Sequence, residues 1–229
     1  MVNGNEMSMT TISDDKNLQA KMKFIKAFFD DLDSKIAFLY ELYNNGHRDE
    51  ARVLCSCYID WLASALYWPE ERNNFNFVRI LKEHGGEEIF PYIHPKMLED
   101  ALLKKAKSNK WIAICNKMSP ALQQARGRFY DEQEIIDLLS PLLNNSEIED
   151  VKKELWRGTF AAIVYAQVRN LSVHSFGPPD GITFDNTTFK GKPVPTIDFT
   201  MLHTSLKRVA ITAKEISINS AKWFGHDYK

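Results

Sequence analysis

From Leu18 to Tyr43 the apolar side chains step by three or four residues, through Leu18, Met22, Ile25, Phe29, Leu32, Ile36, Leu39 and Tyr43. That interval returns side chains to one face of an α-helix, so a long amphipathic helix is expected from Ser13 to a stop near Gly46. A second pattern begins at Arg48 or Asp49 and carries Val53, Leu54, Cys57, Tyr58, Trp61, Leu62, Ala65 and Leu66 before Pro69 ends it. It is apolar nearly all round, as a central helix is. The link between the two, about Asn45 to Arg48, is short enough to force antiparallel neighbours.

A chain of 229 residues holds one large domain, or one domain with a sizeable insertion. Its 44% hydrophobic and 26% charged residues exclude wholesale disorder. The net charge of -1 excludes a global positive field, so any nucleic-acid binding must be local. Residues 1–12 lack periodicity and read as a flexible N-terminus, which leaves 13–229 as a single domain. Within it, about 72–145 is punctuated by Gly85-Gly86, Pro91, Pro95, Pro120, Gly127 and Pro141 and reads as a helical insertion of short elements. Eight cations face two acids from Lys96 to Tyr130, and eight acids face two cations from Asp131 to Glu154. Either the two runs neutralise each other, or Lys104, Lys105 and Lys107 form a strip that tracks RNA.

Ser146-Glu147-Ile148-Glu149 has the form of a capping box, opening a long helix through Val151, Leu155, Phe160, Ile163, Val164, Val168 and Leu171 to Gly177-Pro178-Pro179. A small hairpin from Ile182-Thr183-Phe184 to Pro193–Ile197 follows, with prolines suited to an edge. Asp198 or Thr200 then caps a last helix through Met201, Leu206, Val209, Ala213, Ile216 and Trp223. No phosphate-loop, dinucleotide, nucleophile-elbow or zinc-protease signature is present. Cys55 and Cys57 point roughly 200° apart on a helix, which fits two buried small hydrophobes and not a shared metal. His47, His84, His94, His203 and His226 form no i, i+4 pair, so neither metal nor cofactor is expected. The odd cysteine number, with no leader-like start, suggests a reducing, cytoplasmic setting. No apolar run, Trp111 to Cys115 among them, comes near the length needed to cross a bilayer.

The stretch richest in chemistry is Val168-Arg169-Asn170-Leu171-Ser172-Val173-His174-Ser175-Phe176-Gly177. Asn170 and His174 are four apart and share a helix face, whereas Arg169 is turned by about 140° from His174 in a regular helix. One straight helix therefore does not close a site around both, and a homodimer is expected. On spacing alone these cations equally suit a helix C-terminus, where the macrodipole favours positive charge.

This R-x4-H element, with Asn directly after Arg, resembles the signature of the HEPN superfamily of small all-helical proteins. The helix from Glu50 to Ala63 and the hairpin and helix around Pro195–Phe199 are similar to the same family, and the likeness covers roughly Asp14 to Tyr67 and Ser146 to Ser220. The resemblance implies an all-α, up-and-down bundle that dimerises around the motif helix and acts as a metal-independent endoribonuclease. Arg169 and His174 would be catalytic: an imidazole with pKa near 6.5 moves the protons, and a guanidinium clamps the phosphate. Asn170 would orient His174 or donate to the phosphate. Ser172 or Ser175 would add a hydroxyl, and Asp60 would pair with Arg169 from the second helix. The family context implies RNA as substrate and a prokaryotic defence or toxin–antitoxin role, with an antitoxin as a further partner. Some members carry Tyr two residues after the His and are silenced by nucleotide transfer to it; here that position is Phe176. Other members keep the fold as noncatalytic dimers that bind a protein, nucleotide or RNA.

Overall fold

The structure is a computed structural model that describes residues 7–67, 73–170 and 183–220. It is an all-α bundle with nine helices and one small hairpin among the described residues.

Helix α1, Met7–Asn44, buries Ile25, Phe29, Leu32, Ile36 and Leu39, the stripe that the spacing dictates. It begins six residues before Ser13, so the described part of the expected flexible arm is helical. The helix ends in a Schellman motif: His47 N donates to Leu42 O and Gly46 N to Tyr43 O, both at 3.1 Å, with Gly46 at φ 94°. Helix α2, Arg48–Leu66, returns antiparallel to α1 and turns Ala51, Cys55, Ile59, Leu62 and Ala63 inward. Its outer side is open, which corrects the all-round reading: Leu54, Trp61 and Cys57 are exposed. Cys55 is the buried small hydrophobe of that pair. Together with Phe28, these outer residues line a groove of about 410 Å³ along α1.

Helix α3, Asn73–His84, packs on α2 and adds Phe77, Ile80 and Leu81 to the same core. Although it lies within 72–145, it belongs to the main bundle. The short helices that follow have an apolar core of their own, drawn from Ile93 to Leu155. They are α4 (Pro95–Lys105), α5 (Asn109–Gln124), α6 (Glu132–Leu139) and α7 (Asn145–Lys152). The capping box of α7 is formed by Asn144 and Glu147, two residues before the expected Ser146–Glu149 pair.

The long helix expected from Ser146 is broken. After α7 come a 3-10 turn at Leu155–Gly158, the short α8 at Phe160–Val164 and a π-helical turn at Tyr165–Asn170. The cause is a second stretch of backbone. His94 N donates to Gly158 O at 2.9 Å, Phe160 N to Tyr92 O at 2.8 Å and Ala161 N to Phe90 O at 3.2 Å. Donors that would have continued a helix are thus committed to residues 90–94, and Thr159, extended at ψ 153°, restarts the helix by accepting from Ala162 N.

β1 (Thr188–Phe189) and β2 (Lys192–Pro193) form the hairpin before the last helix. Lys190 and Gly191 both have positive φ, as a type I′ turn demands. The strands lie later than Ile182–Phe184; Ile182 falls outside the described residues. The last helix, α9 (Phe199–Ser220), is capped by Asp198, which accepts from Met201 N at 2.9 Å, and it packs on α1 and α2.

Two buried histidines serve the packing. His203 lies between Phe199 and Tyr40, with Nε2 2.9 Å from Ile36 O, and His94 precedes α4. Burial outweighs a backbone hydrogen bond at each ring, to Ile36 at His203 and to Arg126 at His94, and, aided by the charges of Lys207 and Lys96, holds both below the ordinary 6.5. Below pH 6.5 the unfolded chain therefore takes up protons that the fold resists, and stability falls as pH falls. Thermal melts should show Tm dropping between pH 7 and 5, with a shallower drop in His203→Asn. Equal slopes would remove His203 from the pH response.

Gly158 sits where a Cβ would lie 2.6 Å from Leu98 Cβ and 3.0 Å from its Cα. Gly158→Ala should destabilise the protein by about 1–3 kcal/mol in urea unfolding, as overpacking does; an unchanged midpoint would show that α4 yields freely.

Candidate functional site

The R-x4-H element enters through the π-helical turn. Tyr165 packs its ring against Phe77 with centroids 5.2 Å apart, and Val168 is buried. Arg169 and Asn170 are the last two residues of the turn, described in backbone only. Ser172, His174, Ser175 and Phe176 lie outside the described residues. π-helical turns recur at functional sites, and the angle between Arg169 and His174 lies outside the described residues. α2 packs directly on this turn, and Asp60 sits half-buried on α2.

Beside the turn lies a cleft of about 330 Å³ that the sequence did not reveal. Tyr165 and Ala166 form one wall, α3 and α4 two others, and Trp156 and Arg157 the fourth. The Arg157 guanidinium lies 4.5 Å over the Trp156 ring and is held there by Glu154. Burial opposes the charged form of Glu154, but Arg157 and Lys105 outweigh it and keep the carboxyl below its usual range. Phe75 meets Trp156 edge-on at 5.5 Å. Lys104 stands exposed at the rim. Its neighbour Lys96 is paired to Asp100. The one local hint is Gly158 inside an apolar helical pattern, which weakens a continuous helix there without showing a cleft.

The two opposite charge runs face each other across the small core. Lys105 pairs with Glu154, Lys110 with Asp150, Lys117 with Glu147 at 2.7 Å and Arg128 with Glu134 at 3.1 Å. Arg126 reaches the buried Glu99 at 2.8 Å, where Ser119 and Gln123 also donate. Burial works against that carboxylate, yet the three donors hold it below its usual range. Of the three lysines expected to track RNA, Lys105 is thus bound internally, Lys104 faces the cleft and Lys107 is exposed. Among the described residues no group of three or more His, Cys, Asp or Glu is placed to hold a metal ion, and no helix is long and apolar enough to cross a membrane.

No known family model matches the chain, and neither a curated protein nor a solved structure is significantly similar to it.

The pairing separates adjacent lysines. Lys105→Glu, which sets like charges against the partly buried Glu154, should lower the urea midpoint, whereas Lys107→Glu should leave it in place. Equal midpoints would mean that the Lys105–Glu154 pair does not hold α4 in solution.

Proposed function

We propose that the protein is a metal-independent endoribonuclease of HEPN type that works as a homodimer, with Arg169 and His174 as the reacting pair. The single observation that supports this reading is local. The chain leaves regular helical geometry over Tyr165–Asn170, where the R-x4-H element begins, and that turn rests on the helix carrying Asp60. The all-helical bundle is compatible with it.

In the proposed reaction an imidazole of His174 takes the proton of a ribose 2′-OH. The 2′-oxygen attacks the adjacent phosphorus, the bond to the 5′-oxygen breaks, and that oxygen takes up a proton from imidazolium. The products are a 2′,3′-cyclic phosphate and a 5′-hydroxyl, so electrons and atoms balance without an external reactant. Arg169 grips the non-bridging oxygens as negative charge builds on them, and Asn170 orients the imidazole or donates to the phosphate. Ser172 or Ser175 supplies a further hydroxyl. A cytoplasmic role in prokaryotic defence or in a toxin–antitoxin pair fits this chemistry.

Purified protein incubated with mixed RNA in EDTA should leave cyclic-phosphate ends. His174→Ala and Arg169→Ala should each slow cleavage by about 10² to 10⁴ while the helical circular-dichroism signal is kept. Intact RNA with the unmodified protein, or undiminished cleavage by His174→Ala, would overturn the proposal in favour of a noncatalytic binding dimer.

A further inference from the structure

We propose that the cleft beside the π-helical turn is a subsite for one unpaired nucleotide of single-stranded RNA, with its base on the Trp156–Arg157 stack and its phosphate on Lys104. The inference rests on the ribonuclease reading for its substrate class and on the cleft alone for its residues. Three features carry it. First, about 330 Å³ lies at the lower end of small-molecule pockets, enough for a base and too little for a duplex. Second, the guanidinium stacked on Trp156 and pinned by Glu154 is a flat, cationic, preorganised plate, and unpaired bases stack on aromatic rings and Arg planes alike. Third, Lys104 at the rim makes no ion pair among the described residues.

The surroundings decide between candidate ligands. Glu154 and Asp100 lie close by but are paired with Arg157 and Lys105 and with Lys96, so a neutral base sits beside them without penalty, and its phosphate is left to the charge of Lys104. A smaller cleft of about 170 Å³ that shares Trp156 and Val78 with the first has the exposed Lys82 on its wall, beside the paired Arg79 and Glu83. Lys104, the stacked plate and Lys82 therefore form a cation–aromatic–cation path. The path passes Ala166, on the same turn as Arg169, so a strand lying in it runs next to the backbone of the R-x4-H element.

The test uses a fluorescently labelled 2′-O-methyl oligouridylate octamer, which lacks the 2′-hydroxyl and cannot be cleaved. In EDTA the unmodified protein should bind it. The double variant Lys82→Gln, Lys104→Gln should bind about tenfold more weakly, with a log–log salt slope smaller by about 1.4, the value for two contacts on a single strand. Trp156→Phe keeps a ring in place and should weaken binding severalfold, while Lys107→Gln, outside the cleft, should match the unmodified protein. Unchanged binding by the double variant, no binding by the unmodified protein, or equal competition by oligoglutamate would each overturn the subsite. Cleavage is read separately. Protein that binds through the cleft but leaves RNA intact removes the ribonuclease reading and keeps the subsite. Protein that cuts RNA while all variants bind and cut alike does the reverse.

Discussion

The arrangement depends on one backbone crossing, where residues 158–161 lie against residues 90–94. Three hydrogen bonds hold it, one accepted by Gly158 O and two donated by Phe160 N and Ala161 N, and isolated bridges extend it from Ile93 to Tyr130 and from Arg128 to Thr188. The crossing requires a residue without a side chain at Gly158, because Leu98 on α4 occupies the space. It also joins the two apolar cores, since Ile93 and Leu155 belong to the small one while Phe90 and Phe160 belong to the bundle. The buried polar backbone that would otherwise make such a seam costly is satisfied across it.

Electrostatics completes the small unit. Its helices are short, and those of eight residues have little stability of their own. Capping boxes at Asp131–Glu134 and Asn144–Glu147 satisfy their free amides, and the pairing of the two charge runs ties α7 to α5 and Glu154, just past α7, to α4. Exposed pairs contribute little singly, so their role is to set which faces meet; the apolar core between them supplies the stability.

The main helices were legible because a single physical rule governs them. Ile25, Phe29, Leu32, Ile36 and Leu39 are inward in the structure because three-and-four spacing allows nothing else. The same rule failed from Val151 onward. Phe160, Ile163, Val164 and Val168 are buried in the broken chain just as they would be in a continuous helix, so their periodicity cannot register the interruption at Thr159. The capping box slipped for a similar reason: Asn144 and Ser146 each stand three residues before a glutamate, and sequence alone does not rank them. At the candidate site the sequence shows the residue types Arg169, Asn170 and His174 and their spacing, but not the π-turn in which Arg169 sits. The neighbouring cleft was invisible because its walls come from four separated segments, and only tertiary contact brings Lys104 near Trp156 and Tyr165.

The crossing has a mechanical meaning as well. Residues 158–161 are at once the seam between the cores and the root of α8, which runs without a break into the turn ending at Asn170. The small core cannot slide along the bundle without changing the register of that turn, for no loop lies between them to absorb the motion. The seam with α4–α7 and the backbone of Arg169 are thus the two ends of one continuous helical segment.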